Sequence, residues 1–364
     1  MKKENNKRII QLDLARTIAI LCVVLCHATE YIYTVTKSGY GAISTQSGFF
    51  MVIAFNIGRL GVPIFLFLTG ALILSKKIEK DDDVIKFYKK NLIPLIKVFI
   101  LWIIIYNIYY IITKQYDNTS LEFFIKEILL IKKVPFINMW YMNMIISIYI
   151  GLPFLSKVVK VFSFKTIKYI LIGTLICFSI IPTINVLMQI NELKEHYDFL
   201  YNITYFGGLY GTYILLGYYA YKNDLKKLNY KTLIITSLIS FILLIVLQLY
   251  SYNSGGEYYY NTWYNSPILL ICSLCIFIII TRIKLKNIGI KIKEIIENIS
   301  RASLAIFFIH IIVIDILTKY IKQLKTVMPI QVLILFIITF IISYSIIRIL
   351  SKNKYISKNI FLIK

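Results

Sequence analysis

Residues 11–33 read QLDLARTIAILCVVLCHATEYIY. The run from Ile18 to Val35 is apolar over a length that, at about 1.5 Å per helical residue, nearly crosses a ~30 Å hydrocarbon core. His27 sits in the middle of it. An ionisable side chain at the centre of a membrane span is costly to bury, which makes it a candidate functional residue. Asp13 and Arg16 are three residues apart, and Arg16 and His27 eleven apart, roughly three helical turns at 3.6 residues each. One helix therefore carries Asp13, Arg16 and His27 down a single stripe, from the inner edge toward mid-depth, with Glu30 one turn further out.

The rest of the chain repeats this apolar character. Of its 364 residues 58% are hydrophobic and only 16% charged, against about a quarter charged in a soluble domain. Apolar segments recur at about 10–35, 48–75, 91–113, 137–160, 166–187, 204–221, 231–250, 264–282, 299–320 and 329–350. The expectation is an all-α polytopic membrane bundle of about ten transmembrane helices. Lysine and arginine collect at the N-terminus, in every second loop and in the tail, which predicts cytoplasmic termini and an even number of spans. The same bias explains the net charge of +23 without a nucleic-acid surface. No cleavable signal peptide is evident. The expected organisation is one transmembrane domain over residues 1–364, in the cell membrane, with no appended extracellular domain.

Outside the spans, residues 120–133 have an amphipathic helical period. Residues 251–265, SYNSGGEYYYNTWYN, gather aromatics around Glu257; either a sugar ring or an interfacial aromatic belt accounts for them. Asp81, Asp82 and Asp83 suit a solvated helix start better than a metal site. Cys22, Cys26, Cys177, Cys272 and Cys275 all fall in apolar runs, as packing residues do. Cys272 and Cys275 have CxxC spacing, but no second pair or nearby histidine completes a ligand set, so no metal is expected.

Chemistry is confined to a few positions. His27 lies roughly 14 Å deep by helical rise. His310, nine residues beyond Arg301 in a span running the same way, comes to the same depth, so one cavity can reach both histidines if their spans are neighbours. Arg59, in GRLGVPIFLFLTG, is a third mid-depth cation and needs an anion such as Asp13, Glu30 or a substrate. Arg16 has Asp13 one turn away as a partner.

Four segments carry a resemblance. QLDLARTIAILCVVLCHA, with Arg16 and His27 in an Arg-x10-His spacing, resembles the first span of the acyltransferase-3 family of integral membrane acyltransferases. GRLGVPIFLFLTGALIL resembles that family's second-span motif, MWYMNMIISIYIGLP its Trp-Tyr motif, and SRASLAIFFIH its late Ser…His motif. The resemblance implies about ten helices, an acyl-CoA donor (usually acetyl-CoA) on the cytoplasmic side, no permanently bound cofactor, and a hydroxyl acceptor on an envelope glycan or lipid-linked sugar. It makes Arg16 and His27 the essential pair, with Arg59 and His310 beside them; Asp13, by its spacing, is the expected orienting partner of Arg16. Glu30, Trp140, Tyr141 and Glu257 are the expected acceptor contacts. Lys89, Lys90, Arg301 and Arg16 are the expected donor contacts. Many members carry Arg-x-x-Arg before the third span; here YKKNLIP puts Lys89 and Lys90 there, and lysines hold phosphate only as point charges. A homodimer is compatible with this reading.

On this basis the chain is expected to move an acyl group from cytoplasmic acyl-CoA to an extracytoplasmic or lipid-linked hydroxyl, with His27 as base or acyl carrier. The rival is a transporter or flippase for a glycan or small solute, which also uses mid-depth ionisable residues. A weaker third reading is an accessory subunit with no chemistry of its own.

Overall fold

The computed structural model describes residues 8–34, 45–115, 121–131, 138–191, 197, 207–222, 225, 228–253, 263–285 and 288–363. Each of the ten expected apolar segments holds a helix among the described residues. Among the described residues eight helices are long and apolar enough to cross a membrane. The other two are shorter: α10 (Gly208–Lys222, 15 residues) and α12 (Pro267–Arg282, 16 residues). Among the described residues there is no strand, and the chain is an all-α polytopic bundle.

Two boundaries differ from the sequence reading. The third span begins at Asp81 rather than near 91, because the three aspartates open the helix instead of preceding it. Asp83 Oδ2 accepts the backbone N–H groups of Glu79 and Lys80, both at 3.1 Å, which satisfies donors that a helix start leaves bare. The ninth span, α13 (Ile290–Ile321), starts nine residues earlier than expected and carries lysines in its first turns. Its 32 residues extend about 48 Å, longer than a hydrocarbon core.

Prolines are absorbed in different ways. Pro94 and Pro182 stand inside continuous spans, each just after a π-helical turn (Tyr88–Leu92 and Ile176–Ile180). A wider turn ahead of a proline accommodates the backbone bonds its ring disrupts. Pro267 and Pro329 lie in the first turn of α12 and of α14 (Met328–Leu350), where a missing N–H costs nothing.

The first span, α1 (Ile10–Tyr33), is central. It packs against α13, α14 and α12 and against the two pieces of the second span, α2 (Thr45–Arg59) and α3 (Gly61–Thr69). By contrast Leu238, Ile239, Ile242 and Val246 of α11 (Tyr230–Asn253), and Leu333, Ile337 and Ile341 of α14, are exposed, as lipid-facing residues must be. Helices α1 and α13 run parallel: Ser300 meets Asp13 near one end, the two histidines meet in the middle, and Lys322 reaches Thr34 at the other.

Lipid offers no hydrophobic drive between helices, so close backbone approach at small residues matters. A Cβ at Gly58 would stand 2.6 Å from Cys26 Cα, which fixes α2 on α1 directly beside His27. A Cβ at Gly217 of α10 would stand 2.3 Å from Phe67 O of α3. The amphipathic stretch forms α6 (Leu121–Ile128), tied to α5 (Ile93–Ile112) by Asn107 Nδ2 donating to the buried carboxylate of Glu127 at 2.9 Å.

Gly217→Val is therefore expected to abolish recovery of monodisperse protein in detergent, because neither backbone can yield. Gly151→Val in α7 (Trp140–Val161), where a Cβ meets nothing within 4 Å, should behave as wild type. Equal size-exclusion profiles for the two variants would refute the close approach.

Candidate functional site

The site is built on three turns of α1 and what they face. His27 and Glu30 are one turn apart, and the His27 Nδ1 to Glu30 Oε2 distance is 2.6 Å. The second carboxylate oxygen, Oε1, accepts from Arg59 Nη2 at 3.2 Å. Arg59 ends α2, and α2 is held on α1 by Gly58, the residue before it. Its guanidinium also donates through Nη1 to the Tyr264 hydroxyl at 3.2 Å. Aromatic faces close around it: its central carbon is 4.4 Å from the centroid of Phe55 and 4.8 Å from that of Trp263. A buried guanidinium is thus paired, hydrogen-bonded and covered by π-faces, which is what burial of a cation requires.

His310 is fully buried and its ring centroid lies 5.3 Å from that of His27. Its Nδ1 is 3.0 Å from the Ile306 carbonyl, which can only accept, so Nδ1 carries the proton. That leaves a lone pair on Nε2, which is buried and has no partner among the described residues. Two more polar atoms here lack partners, Arg59 Nε and Asn138 Oδ1. Asn138 is held by its amide, which donates to the Phe307 carbonyl at 3.2 Å. Together with Val23, Cys26, Gly58 and Val62, the residues His27, Arg59, Asn138, Trp140, Tyr141, Tyr264 and Phe307 line one narrow cleft. An acceptor lone pair, a spare guanidinium donor and a hydrogen-bonded imidazole converge there, the equipment for moving a proton and meeting a developing negative oxygen.

The expected residues fall into three groups. His27, Arg59, Trp140 and Tyr141 line the cleft, and Glu30 and His310 stand behind it against His27. Asp13 and Arg16 lie toward the inner end, and the anticipated pairing between them differs. Asp13 is buried and takes Arg8 in a two-pronged bond, 2.6 Å from Nε and 2.8 Å from Nη2, plus the Ser300 hydroxyl at 2.6 Å. The carboxylate raises the Arg8 guanidinium above its ordinary pKa. Arg8 wins because it can reach from outside the span with planar fork geometry. Arg16 is half-buried and makes no hydrogen bond or ion pair with a described residue; its electrostatic neighbours include Asp13, Tyr149 and Tyr141.

The expected donor contacts form the third group. Lys89 and Lys90 are exposed on the π-turn Tyr88–Leu92 and do not line the cleft. Tyr149 links that turn to Arg16, since its ring is 6.0 Å from that of Phe87. Arg301 follows Ser300, is half-exposed and reaches Glu297 at 3.9 Å. Glu257 lies outside the described residues. Residues the sequence reading missed include Arg8, Asn138, Tyr264 and Asp315; the last is an ionisable residue within a span, the same signal that singled out His27.

A family model described as an acyltransferase domain matches residues 9–348. No curated protein and no solved structure matches the chain.

If Glu30 neutralises Arg59, Glu30→Ala leaves a buried guanidinium uncompensated and should destabilise the protein by about 3–5 kcal/mol. The double variant Glu30→Ala with Arg59→Met should recover most of that loss, with Arg59→Met alone as the other single variant of the cycle. Detergent-driven unfolding of the single and double variants measures the coupling; strictly additive effects would refute the pair.

Proposed function

The chain belongs to the acyltransferase family whose model spans it, and from that premise we propose that it transfers an acyl group, acetyl in the first instance, from cytoplasmic acyl-CoA to a hydroxyl of an extracytoplasmic or lipid-linked glycan. The observation that supports this most is the carboxylate–imidazole–guanidinium chain Glu30, His27 and Arg59 beside a second histidine, His310, on neighbouring membrane-spanning helices.

In this reading Glu30 holds the proton on His27 Nδ1 and leaves Nε2 as the base, the same division of labour as in a carboxylate–histidine–serine triad. Nε2 takes the proton of the acceptor hydroxyl as its oxygen attacks the thioester carbonyl. The C–S bond then breaks, and the departing thiolate takes the proton back from the imidazolium. The products are an ester and free CoA, so atoms and charge balance. At rest Glu30 and Arg59 cancel. During attack an imidazolium and an oxyanion form together, so the site stays near neutral where hydrocarbon would penalise any net charge. Arg59 Nε is the spare donor for the oxyanion. His310 Nε2 accepts from the acceptor hydroxyl and aims it.

The donor's phosphates belong at the inner end. Arg16, half-buried without an ion-pair partner, lies about 16 Å along the helix from His27 and suits a pantetheine arm that climbs from the cytoplasm to mid-depth. Lys89, Lys90 and Arg301 add positive charge on the same side.

The test uses inverted native membrane vesicles given acetyl-CoA labelled in its acetyl group. Wild type should place label in base-labile ester, and His27→Ala should lose about a hundredfold or more of that rate. Equal labelling by both removes His27 from the chemistry. No wild-type label with either acetyl-, propionyl- or succinyl-CoA would overturn the acyl-CoA reading in favour of a carrier. Arg16→Gln should raise KM for acetyl-CoA while leaving the residual acceptor dependence unchanged.

A further inference from the structure

On the far side of the histidines from Arg16, α13 carries Asp315, five residues past His310 and so about 7.5 Å further along the axis. Its Oδ2 accepts from the Tyr109 hydroxyl at 2.6 Å and from Gln115 Nε2 at 2.8 Å, both from the outer end of the third span. The Tyr110 ring sits 5.4 Å from that of Tyr109. Tyr31, next to Glu30 on α1, is close enough to Tyr110, Tyr109 and Asp315 to interact with them electrostatically. All four are half-buried, and Gln115 is exposed. The cluster therefore stands between the buried cleft and the surface, on the side that the lysine distribution assigns to the outside.

Several features separate this cluster from a simple clip between helices. Asp315 has no cation within ion-pair distance among the described residues, although carboxylates buried for structure are normally paired. Only its Oδ2 is engaged, so a second carboxylate oxygen remains to accept. Three tyrosine rings surround it, offering apolar faces with polar edges. Aromatic faces against C–H surfaces, and a carboxylate that accepts from hydroxyls, are complementary to a polyhydroxylated ring, since charge-assisted hydrogen bonds fix its orientation. An unneutralised carboxylate also repels anions.

We infer that Tyr31, Tyr109, Tyr110, Gln115 and Asp315 form the acceptor subsite, and that it takes an uncharged or amino-bearing sugar ring and discriminates against uronate or phosphorylated rings. This deepens the transferase reading and rests on it for the word acceptor; binding of the sugar itself does not depend on transfer.

The experiment measures binding of methyl β-D-glucopyranoside to the full-length protein in lipid nanodiscs by saturation-transfer NMR. Methyl β-D-glucuronoside serves as the anionic probe, and release of free thiol from acetyl-CoA is followed in parallel. Wild type should bind the neutral glycoside and prefer it to the glucuronoside. Asp315→Asn, which keeps the shape, and Tyr110→Leu, which keeps an apolar filler, should each weaken neutral binding by about tenfold, the scale of one charge-assisted hydrogen bond. Asp315→Asn should also narrow the preference over the glucuronoside by a similar factor. Wild type that does not bind the neutral glycoside, or variants that bind it equally well, overturn the subsite. Sugar binding that responds to these variants while no thiol is released would instead count against the transferase reading and leave the subsite standing.

Discussion

One carboxylate holds the site together. An ion moved alone from water into an apolar medium costs tens of kcal/mol in the idealised limit, and still several per ion after the protein relaxes. Glu30, Arg59 and the His27 imidazole meet where the surrounding helices are apolar, so each is tolerable only because the others are there. That requirement fixes much else. Gly58 has to lack a side chain so that α2 can lie against Cys26 and deliver Arg59 to Glu30. Trp263 and Tyr264, from the short segment before α12, have to cover the guanidinium that the carboxylate only half satisfies. Helix α1 has to be central rather than lipid-facing, because its polar stripe runs its whole length.

The bundle was legible because hydropathy is an additive signal that survives without any knowledge of packing. The ten apolar segments and the amphipathic stretch before the fourth span all became helices. A shared level was legible too: helical rise alone put His27 and His310 at one height, and their rings are 5.3 Å apart. Partnership was not. Asp13 pairs with Arg8 rather than Arg16, since a residue just outside the helix can fold back with the right fork geometry, and sequence spacing along a helix does not register that reach. Nor could it show that Tyr264, in an aromatic run equally suited to a membrane belt, would be drawn in to bond Arg59. The aspartates at 81–83 open a helix as expected, but the third span was read as starting near 91, because hydropathy records where the apolar run begins and not where the backbone turns helical.

On the proposed reading the order of residues along α1 would give the reaction its direction. With Arg16 toward the cytoplasmic end, His27 and Glu30 further along and Tyr31 just beyond, a donor and an acceptor arriving from opposite sides would meet at the imidazole without passing each other. The cleft is narrow, and Val23, Val62 and Phe307 share its lining with His27, Arg59 and Asn138. Few waters can compete there with a sugar hydroxyl for the thioester, and an acyl group would reach the acceptor rather than be lost to hydrolysis. Electroneutrality explains the choice of the second base as well. A lysine at the place of His310 would add a standing positive charge beside the imidazolium that forms during attack. A histidine whose Nδ1 proton is given to the Ile306 carbonyl adds only a lone pair. The bilayer's intolerance of charge thus selects two histidines, one carboxylate and one arginine, a set whose charges cancel both at rest and in the transition state of acyl transfer.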